Sequence, residues 1–301
     1  MVTSILNEII SQEQHWTEAT PPSAYDLTLL WPRISIVMPS YNQAEFIRES
    51  IQSVLNQNYP NLEFIIIDGG STDGTVNIIK EYECQLAYWI SEPDNGQSHA
   101  LNKGFNKATG NIMGWLNSDD LYTKYAFLNT INTFKRFPGL SVVFADYYFI
   151  NKESRYIEYK HAFNFKVNQL YYEGWFLNVQ SMFWTAEAHK RFGHFDINLH
   201  RNMDYDFVIR MGLNEGYNRF YRLNDIALGC FRLHENQKTR GMNDITIREQ
   251  YLISSKINKL SKFTMIGKIL RYVFRLRRLF WYIKRKGFLT VVNLIRKKIS
   301  L

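Results

Sequence analysis

Four times in the first 120 residues a short apolar run stops abruptly in a polar cluster. ISIVM (34–38) stops at PSYN (39–42), FIIID (64–68) at DGGSTDG (68–74), LAYWI (86–90) at Ser91–Glu92–Pro93–Asp94, and NIMGWL (111–116) at NSDD (117–120). The intervening stretches have helical apolar spacing, clearest in Phe46, Ile47, Ile51, Val54 and Leu55. Short apolar runs alternating with amphipathic helices predict an α/β protein with a mostly parallel central sheet covered by helices on both faces. Ligands of such sheets bind outside the carboxyl ends of the strands. The four polar clusters are therefore expected to form one site.

Beyond residue 120 the pattern is less regular. VVFADYYFI (142–150) and VQSMFW (179–184) are predicted strands, and Asp204 to Leu213 has helical spacing. The expected organisation is an N-terminal extension over 1–30, with a helical patch around Ile5 to Ile10, a main domain over 31–240, and a helical tail over 241–301. A hydrophobic content of 46% excludes a disordered chain. No signal peptide is visible, and no apolar run reaches the ~20 residues of a membrane span. Cys84 and Cys230 match no metal or redox spacing and are expected to be buried thiols in a reducing cytosol.

Asp119 and Asp120 are adjacent anions at the end of an expected buried strand. A lone acid there reads as a turn or cap. A pair repels itself, and a bound cation relieves the repulsion. Mg²⁺ or Mn²⁺ accepts one or two carboxylates and completes its sphere with water and substrate phosphates. Neither a GxxxxGK[ST] loop nor a GxGxxG turn after a strand is present, so the usual phosphate and dinucleotide loops are absent.

Taken together, SIVMPSYNQAEFIRESIQSVLNQNYPNLEFIIIDGGSTDGT, SEPDNGQSHALNKGFNKATG and WLNSDD resemble the family 2 glycosyltransferases of the GT-A fold, over roughly residues 33 to 240. The resemblance implies an inverting, metal-dependent transfer from a nucleotide-sugar, UDP-linked by expectation, to a glycan or lipid-linked acceptor. NSDD takes the place of the family's DXD motif, with Asp120 the favoured direct metal ligand and Asp119 on the ribose or sharing the metal. Pro39, Ser40 and Tyr41 resemble the segment lining the base. Asp68 resembles the first acid of the family's DDGS; Gly69 replaces the second, and Asp94 is the candidate for a compensating contact. FDINLHRNMDYDFVIRM (195–211) resembles the segment holding the catalytic base, which makes Asp204 the base, with Met203 where many members have Glu. Asp206, two residues on, cannot share its helix face. RLHENQKT (232–239) resembles the segment that closes over the diphosphate, so His234 would complete the metal sphere and Arg232 or Lys238 would balance charge. Gln180 and Trp184, in the aromatic stretch 174–184, are candidate acceptor contacts.

The net charge of +8 conceals a division. Residues 256–301 hold 14 Lys and Arg and no acid, leaving 22 basic and 28 acidic residues before them, a net of −6. From Lys268 the positions Ile269, Val273, Leu276, Phe280 and Ile283 share one helix face, with Lys268, Arg271, Arg275, Arg278 and Arg285 opposite; Phe288, Val292, Ile295 and Ile299 continue a shorter face. Such a helix suits an anionic membrane surface, which would place the protein on the cytoplasmic face of the cell membrane. The alternative is a helix docked on the body. Nucleic-acid binding is disfavoured by the acidic body and the continuous apolar face. A metal-dependent nucleotidyltransferase and an inactive binding subunit remain as competing classes.

Overall fold

The computed structural model describes residues 16, 18–174, 177–238, 244–257 and 264–286. Its strands are β1 (Ile34–Ser40), β2 (Leu62–Asp68), β3 (Tyr88–Ser91), β4 (Ile112–Trp115), β5 (Leu121–Tyr122), β6 (Val142–Ile150), β7 (Tyr156–Lys160), β8 (Met182–Thr185) and β9 (Phe220–Arg232). They form one sheet in the order β3-β2-β1-β4-β8-β6-β9-β5, with β7 beside β6. The first four strands pair in parallel. Beyond β4 the sheet is mixed: β8 runs antiparallel to both β4 and β6, while β6 and β9 are parallel.

The helices are α1 (Ile47–Leu55), α2 (Thr75–Glu81), α3 (Gln97–Lys107), α4 (Ala126–Arg136), α5 (Val167–Glu173), α6 (Ala186–Phe192), α7 (Met203–Glu215), α8 (Asp244–Lys256) and α9 (Met265–Lys286). Alternate β1 residues face opposite layers. Ile34, Ile36 and Met38 pack with Ile47, Ile51 and Phe127 of α1 and α4. Val37 joins Leu101 and Phe105 of α3 and Phe207 of α7. Both faces of the sheet are thus dry, which is why its parallel strands read as unbroken apolar runs. Gly104 lets α3 lie flat on this layer, since a Cβ there would stand 2.3 Å from Val37 Cγ1 and 3.2 Å from Ile67 Cγ1.

The ends of the chain are less separate than the sequence suggests. Trp16 packs with Leu121, Ile150 and Cys230, and Tyr25 lies within the α1 layer. Ile5 to Ile10 and residues 287–301 lie outside the described residues. Ile253, Ile257 and Phe274, all placed by the sequence in the tail, are buried in the core beside α5 and α7. Cys230 is buried as expected, whereas Cys84 is exposed, because it sits in a short turn on the surface after α2.

Helix α9 docks on the body, with a face the sequence assigned differently. Phe274 stacks on Tyr172, Trp281 and Tyr282 meet Phe163, and Arg278 pairs with the buried Glu173 at 2.7 Å. Arg271 donates to the Tyr172 carbonyl, and Arg285 pairs with Asp225. Three arginines read as solvated are therefore on or beside the docking face, because their counter-charges lie far away in sequence. The apolar stripe Ile266, Ile269, Val273, Leu276 and Phe280 is left outside, 41–67% exposed. Among the described residues no helix is long and apolar enough to cross a membrane.

Replacing Gly104 with Ala should lower the unfolding free energy by about 1–3 kcal/mol, overpacking outweighing the gain in helix propensity. Urea denaturation of the two proteins measures this directly.

Candidate active site

The carboxyl ends of β1, β2 and β4 open on a cavity of about 900 Å³, closed on the other side by the start of α7 and the segment after β9. Its floor is built by cross-links between strand ends. Gly69 N–H donates to the Ser40 carbonyl, Glu92 N–H to the Asp68 carbonyl, and Thr72 N–H to Asn42 Oδ1.

Asp68 is fully buried, and its carboxylate is consumed by this construction. It accepts from Gly70 N–H, Ser71 N–H, Ser71 Oγ and Ser91 Oγ at 2.5–3.1 Å. Expected to contact the ligand, Asp68 instead shapes the turn and is not among the residues lining the cavity; Oδ2 accepts three of the four donors and Oδ1 the fourth. Pro39, Ser40, Tyr41, Gly69 and Gly70 do line the cavity. Tyr41 is 62% exposed, and Ser40 Oγ is buried with no hydrogen-bond partner.

Asp94 stands where the missing acid of the second cluster would project. A Cβ added to Gly69 would lie 2.8 Å from Asp94 Oδ2, so the two positions compete for one space. Asp94 Oδ1 accepts from Gly96 N–H at 2.7 Å, which fixes the carboxylate over Gly69.

The acidic pair divides in a way the sequence did not indicate. Asp120 is buried, with Oδ1 accepting from Arg232 N–H at 3.0 Å and Oδ2 from Asn117 Nδ2 at 3.1 Å. Burial, with the neighbouring Asp119 charge added, pushes its pKa well above the usual carboxylate range. Asp119 is the member that lines the cavity, and its Oδ2 lies 3.0 Å from His234 Nε2. The pair departs from the expected order: Asp120 is buried and hydrogen-bonded within the fold, Asp119 lines the cavity, and the His234 side chain, 3% exposed, pairs with Asp119 without itself lining the cavity. Arg232 is likewise wholly buried and cannot balance charge in the cavity. Its guanidinium donates to the carbonyls of Asp119 and Lys152, to Ser154 Oγ and to Glu49.

Asp204, in the first turn of α7, lines the same cavity and accepts from Tyr205 N–H at 2.7 Å. Burial raises its pKa to about 6, against the lowering effects of hydrogen bonds and Lys238. Asp206 turns the other way, buried and paired with Arg210 at 2.7 Å, as the helical spacing predicts. Lys238 lines the cavity, and burial lowers its pKa.

Gln180 and Trp184 do not reach the cavity. Both are 0% exposed; Gln180 is packed beneath Gly229, and Trp184 donates to His189 Nδ1, whose pKa burial lowers to about 4. Strand β8 lies inside the sheet with neighbours on both sides, so its side chains are core. Leu177, Asn178 and Val179 of the same stretch line the cavity instead. Sequence reasoning also missed His200 and Arg201, on the loop before α7; the only signal was their closeness to Asp204.

Among the described residues, Asp146, His161 and Asp225 also lie close enough to hold an ion. Arg222 already occupies Asp146 Oδ1 at 2.6 Å, and Arg285 pairs with Asp225, so this group reads as an ion-pair knot securing α9. The pair Asp119–His234 fits a divalent ion better. It offers one carboxylate oxygen on the cavity and one imidazole nitrogen next to it, with no arginine between them.

The family model described as Glycosyl transferase family 2 matches residues 35–193, just over half of the chain. An uncharacterised glycosyltransferase of Rickettsia typhi is 29% identical over 252 residues, 78% of this chain and 74% of its own length. The putative teichuronic acid biosynthesis glycosyltransferase TuaG of Bacillus subtilis is 38% identical over 96 residues, 31% of this chain and 38% of its own. Among solved structures, S. aureus TarS 1-349 in complex with UDP-GlcNAc aligns with a TM-score of 0.61 at 18% identity, covering 85% of this chain and 75% of that one. The mannosyltransferase PcManGT of Pyrobaculum calidifontis, in complex with GDP-Man and Mn²⁺, aligns at 0.57 and 20% identity, covering 95% and 83%. At these identities the structural likeness is one of fold, the GT-A arrangement expected from the motifs.

Proposed function

The chain belongs to glycosyl transferase family 2, and from that premise we propose that it transfers a sugar, with inversion, from a UDP-linked donor to a glycan or lipid-linked acceptor in cell-surface polysaccharide synthesis. The observation that carries this is the convergence of Asp94, Asp119 and Asp204 on one cavity at the strand ends, with His234 paired to Asp119 beside it. TarS with its UDP-sugar and TuaG with its wall-polymer name support the donor and acceptor classes.

The nucleotide base lies against Pro39, Ser40 and Tyr41, with Asp94 accepting a base N–H in place of the acid absent at Gly69. Uracil has such an N–H at N3, and guanine has one at N1, so Asp94 selects for a donor on the base edge without separating these two. Asp119 and His234 would hold a divalent ion, Mn²⁺ or Mg²⁺, which would supply positive charge to stabilise a leaving diphosphate. Mn²⁺ in PcManGT supports this assignment.

Asp204 takes the proton of the acceptor hydroxyl as its oxygen attacks the anomeric carbon. The bond from that carbon to the diphosphate oxygen breaks, and its electron pair departs with the nucleoside diphosphate. Lys238 faces Asp204 and balances charge in the closed site. Leu177 and Val179 offer apolar surface on the acceptor side.

The α9 stripe bears on location. Exposed Lys268 and Arg275 flank it on one side, and exposed Arg277 and Lys284 on the other. Apolar side chains between two basic rows, on a helix tied to the body at its back, suit insertion into the interfacial layer of an anionic bilayer. The protein would then work at the inner face of the cell membrane, beside a lipid-linked acceptor.

Calorimetry should show UDP binding that requires Mn²⁺ and that Asp119→Ala abolishes. Asp94→Ala should weaken it by roughly 10- to 100-fold, the cost of an unpaired base N–H. Metal-independent binding that ignores Asp119 would refute the assignment, and release of pyrophosphate in turnover would mean a nucleotidyltransferase.

Asp204→Asn should keep UDP affinity and lose turnover. Asp204 is protonated below its raised pKa of about 6. Wild-type kcat/KM should therefore fall about tenfold per pH unit below that point, since only the ionised base accepts a proton. A flat profile between pH 5 and 7 would contradict the role.

Full-length protein should sediment with vesicles containing about 30% phosphatidylglycerol and not with neutral ones. The double substitution Leu276→Asp, Phe280→Asp should abolish this while leaving UDP binding intact.

A further inference from the structure

Glu249 lies in α8, in the part of the chain that the sequence assigns to a basic tail, yet it is 3% exposed and points at the loop before the Asp204 helix. Its Oε1 accepts from His200 N–H at 2.6 Å. Its Oε2 accepts from Arg201 N–H at 3.0 Å, Asn202 N–H at 2.9 Å and Asn202 Nδ2 at 3.1 Å. One carboxylate thus satisfies three successive backbone donors, which carry no helical partners of their own. Asn202 Nδ2 also donates to the Thr246 carbonyl, again on α8.

The same loop is held from the other side by α3. Ser98 Oγ donates to the Leu199 carbonyl, Asn102 Nδ2 donates to the Phe195 carbonyl, and Asn102 Oδ1 accepts from Phe195 N–H. Residues 195–202 are therefore clamped between two helices far apart in sequence, and the chain leaves the clamp two residues before Asp204. Arg201, fixed by its own N–H, sends its guanidinium to the Lys238 carbonyl. The clamp so reaches the segment that carries His234.

We propose that Glu249 is a positioning residue for the transfer reaction: its carboxylate sets the loop that aims Asp204 and places a negative charge near it. This rests on the reading of Asp204 as the base. The charged groups that act on Asp204 are Lys238 and Glu249, and Arg201, His200 and Asp94 line the same cavity. Of these, Glu249 raises the affinity of Asp204 for a proton and Lys238 lowers it. A base of higher affinity takes the acceptor proton more readily. The position of Glu249 outside the cavity lets it do so without touching the substrate. Sequence motifs could not show this, because Glu249 lies 45 residues beyond Asp204 and outside every recognisable segment.

The test uses the full-length protein with Mn²⁺ and three probes: UDP-glucose, UDP-galactose and UDP-N-acetylglucosamine, with water as the acceptor and UDP release as the readout. Glu249→Gln removes the charge and turns an amide N–H₂ toward N–H donors. Hydrolysis should fall at least tenfold, UDP affinity should stay within about twofold, and the acidic limb of kcat/KM should move down by about half to one pH unit as the charge is lost. Unchanged hydrolysis with an unmoved limb would overturn the proposal. So would a parallel loss of UDP binding, which would make Glu249 a general determinant of folding.

Hydrogen exchange on the unmodified protein tests the clamp without any variant. The amides of residues 200–202 should be as protected as those in the body of α7, and free exchange there would also overturn it. Asp204→Asn separates the two levels: if it retains hydrolysis, the base assignment fails while the exchange result still decides the clamp.

Discussion

Arg232 is the joint on which the site depends. It is wholly buried at the end of β9, and its backbone N–H donates to Asp120 while its guanidinium donates to the carbonyl of Asp119. The remaining donors reach Lys152, Ser154 and Glu49, and the cation lies 5.0 Å from the centre of the Phe46 ring. A buried cation is tolerated only when its hydrogen bonds are satisfied, and here satisfying them draws four separate segments together. Two residues further on, His234 is delivered to Asp119. The Asp119–His234 pair is thus assembled from both halves of the sheet by a wholly buried residue.

The division of labour between Asp119 and Asp120 follows from that joint. Two adjacent carboxylates cannot both be buried and charged without support. Asp120 receives the support, in the form of Arg232 N–H and Asn117 Nδ2, and Asp119 keeps the cavity. The second cluster shows the same economy. Asp68 is used up in holding its own turn, and Gly69 leaves a space that Asp94 fills from the neighbouring strand end. No single carboxylate does both: Asp68 and Asp120 are spent on architecture, and Asp94 and Asp119 face the cavity.

Residues 244–257 and 264–286 belong to the body more than the charge of this part of the chain suggests. Glu249 holds the loop before Asp204, Phe274 and Trp281 pack against the core, and Arg278 meets Glu173. A helix anchored on its back can present its apolar stripe at a constant height relative to the active site. A proposed membrane-seated enzyme with a lipid-linked acceptor needs that fixed relation.

The parallel half of the sheet, the helix spacing between its strands and the gathering of polar clusters at the strand ends were all legible in the sequence, because local periodicity and turn chemistry dictate them. So was the opposed placement of Asp204, which lines the cavity, and the inward-turned Asp206, which follows from helical geometry alone. Which of Asp119 and Asp120 faces the cavity was not legible, since it depends on β9 pairing with the strand end more than a hundred residues away, nor was the burial of Gln180 and Trp184, since it depends on β8 lying between β4 and β6. The docking face of α9 was misread for the same reason: the acids that neutralise its arginines come from α5 and from β9. Composition and periodicity determined the layers, the strand ends and the chemistry gathered there. Only the tertiary structure decided which carboxylate is free and which is spent, because a charged side chain's role is set by the donors that reach it, and those donors arrive from distant parts of the chain.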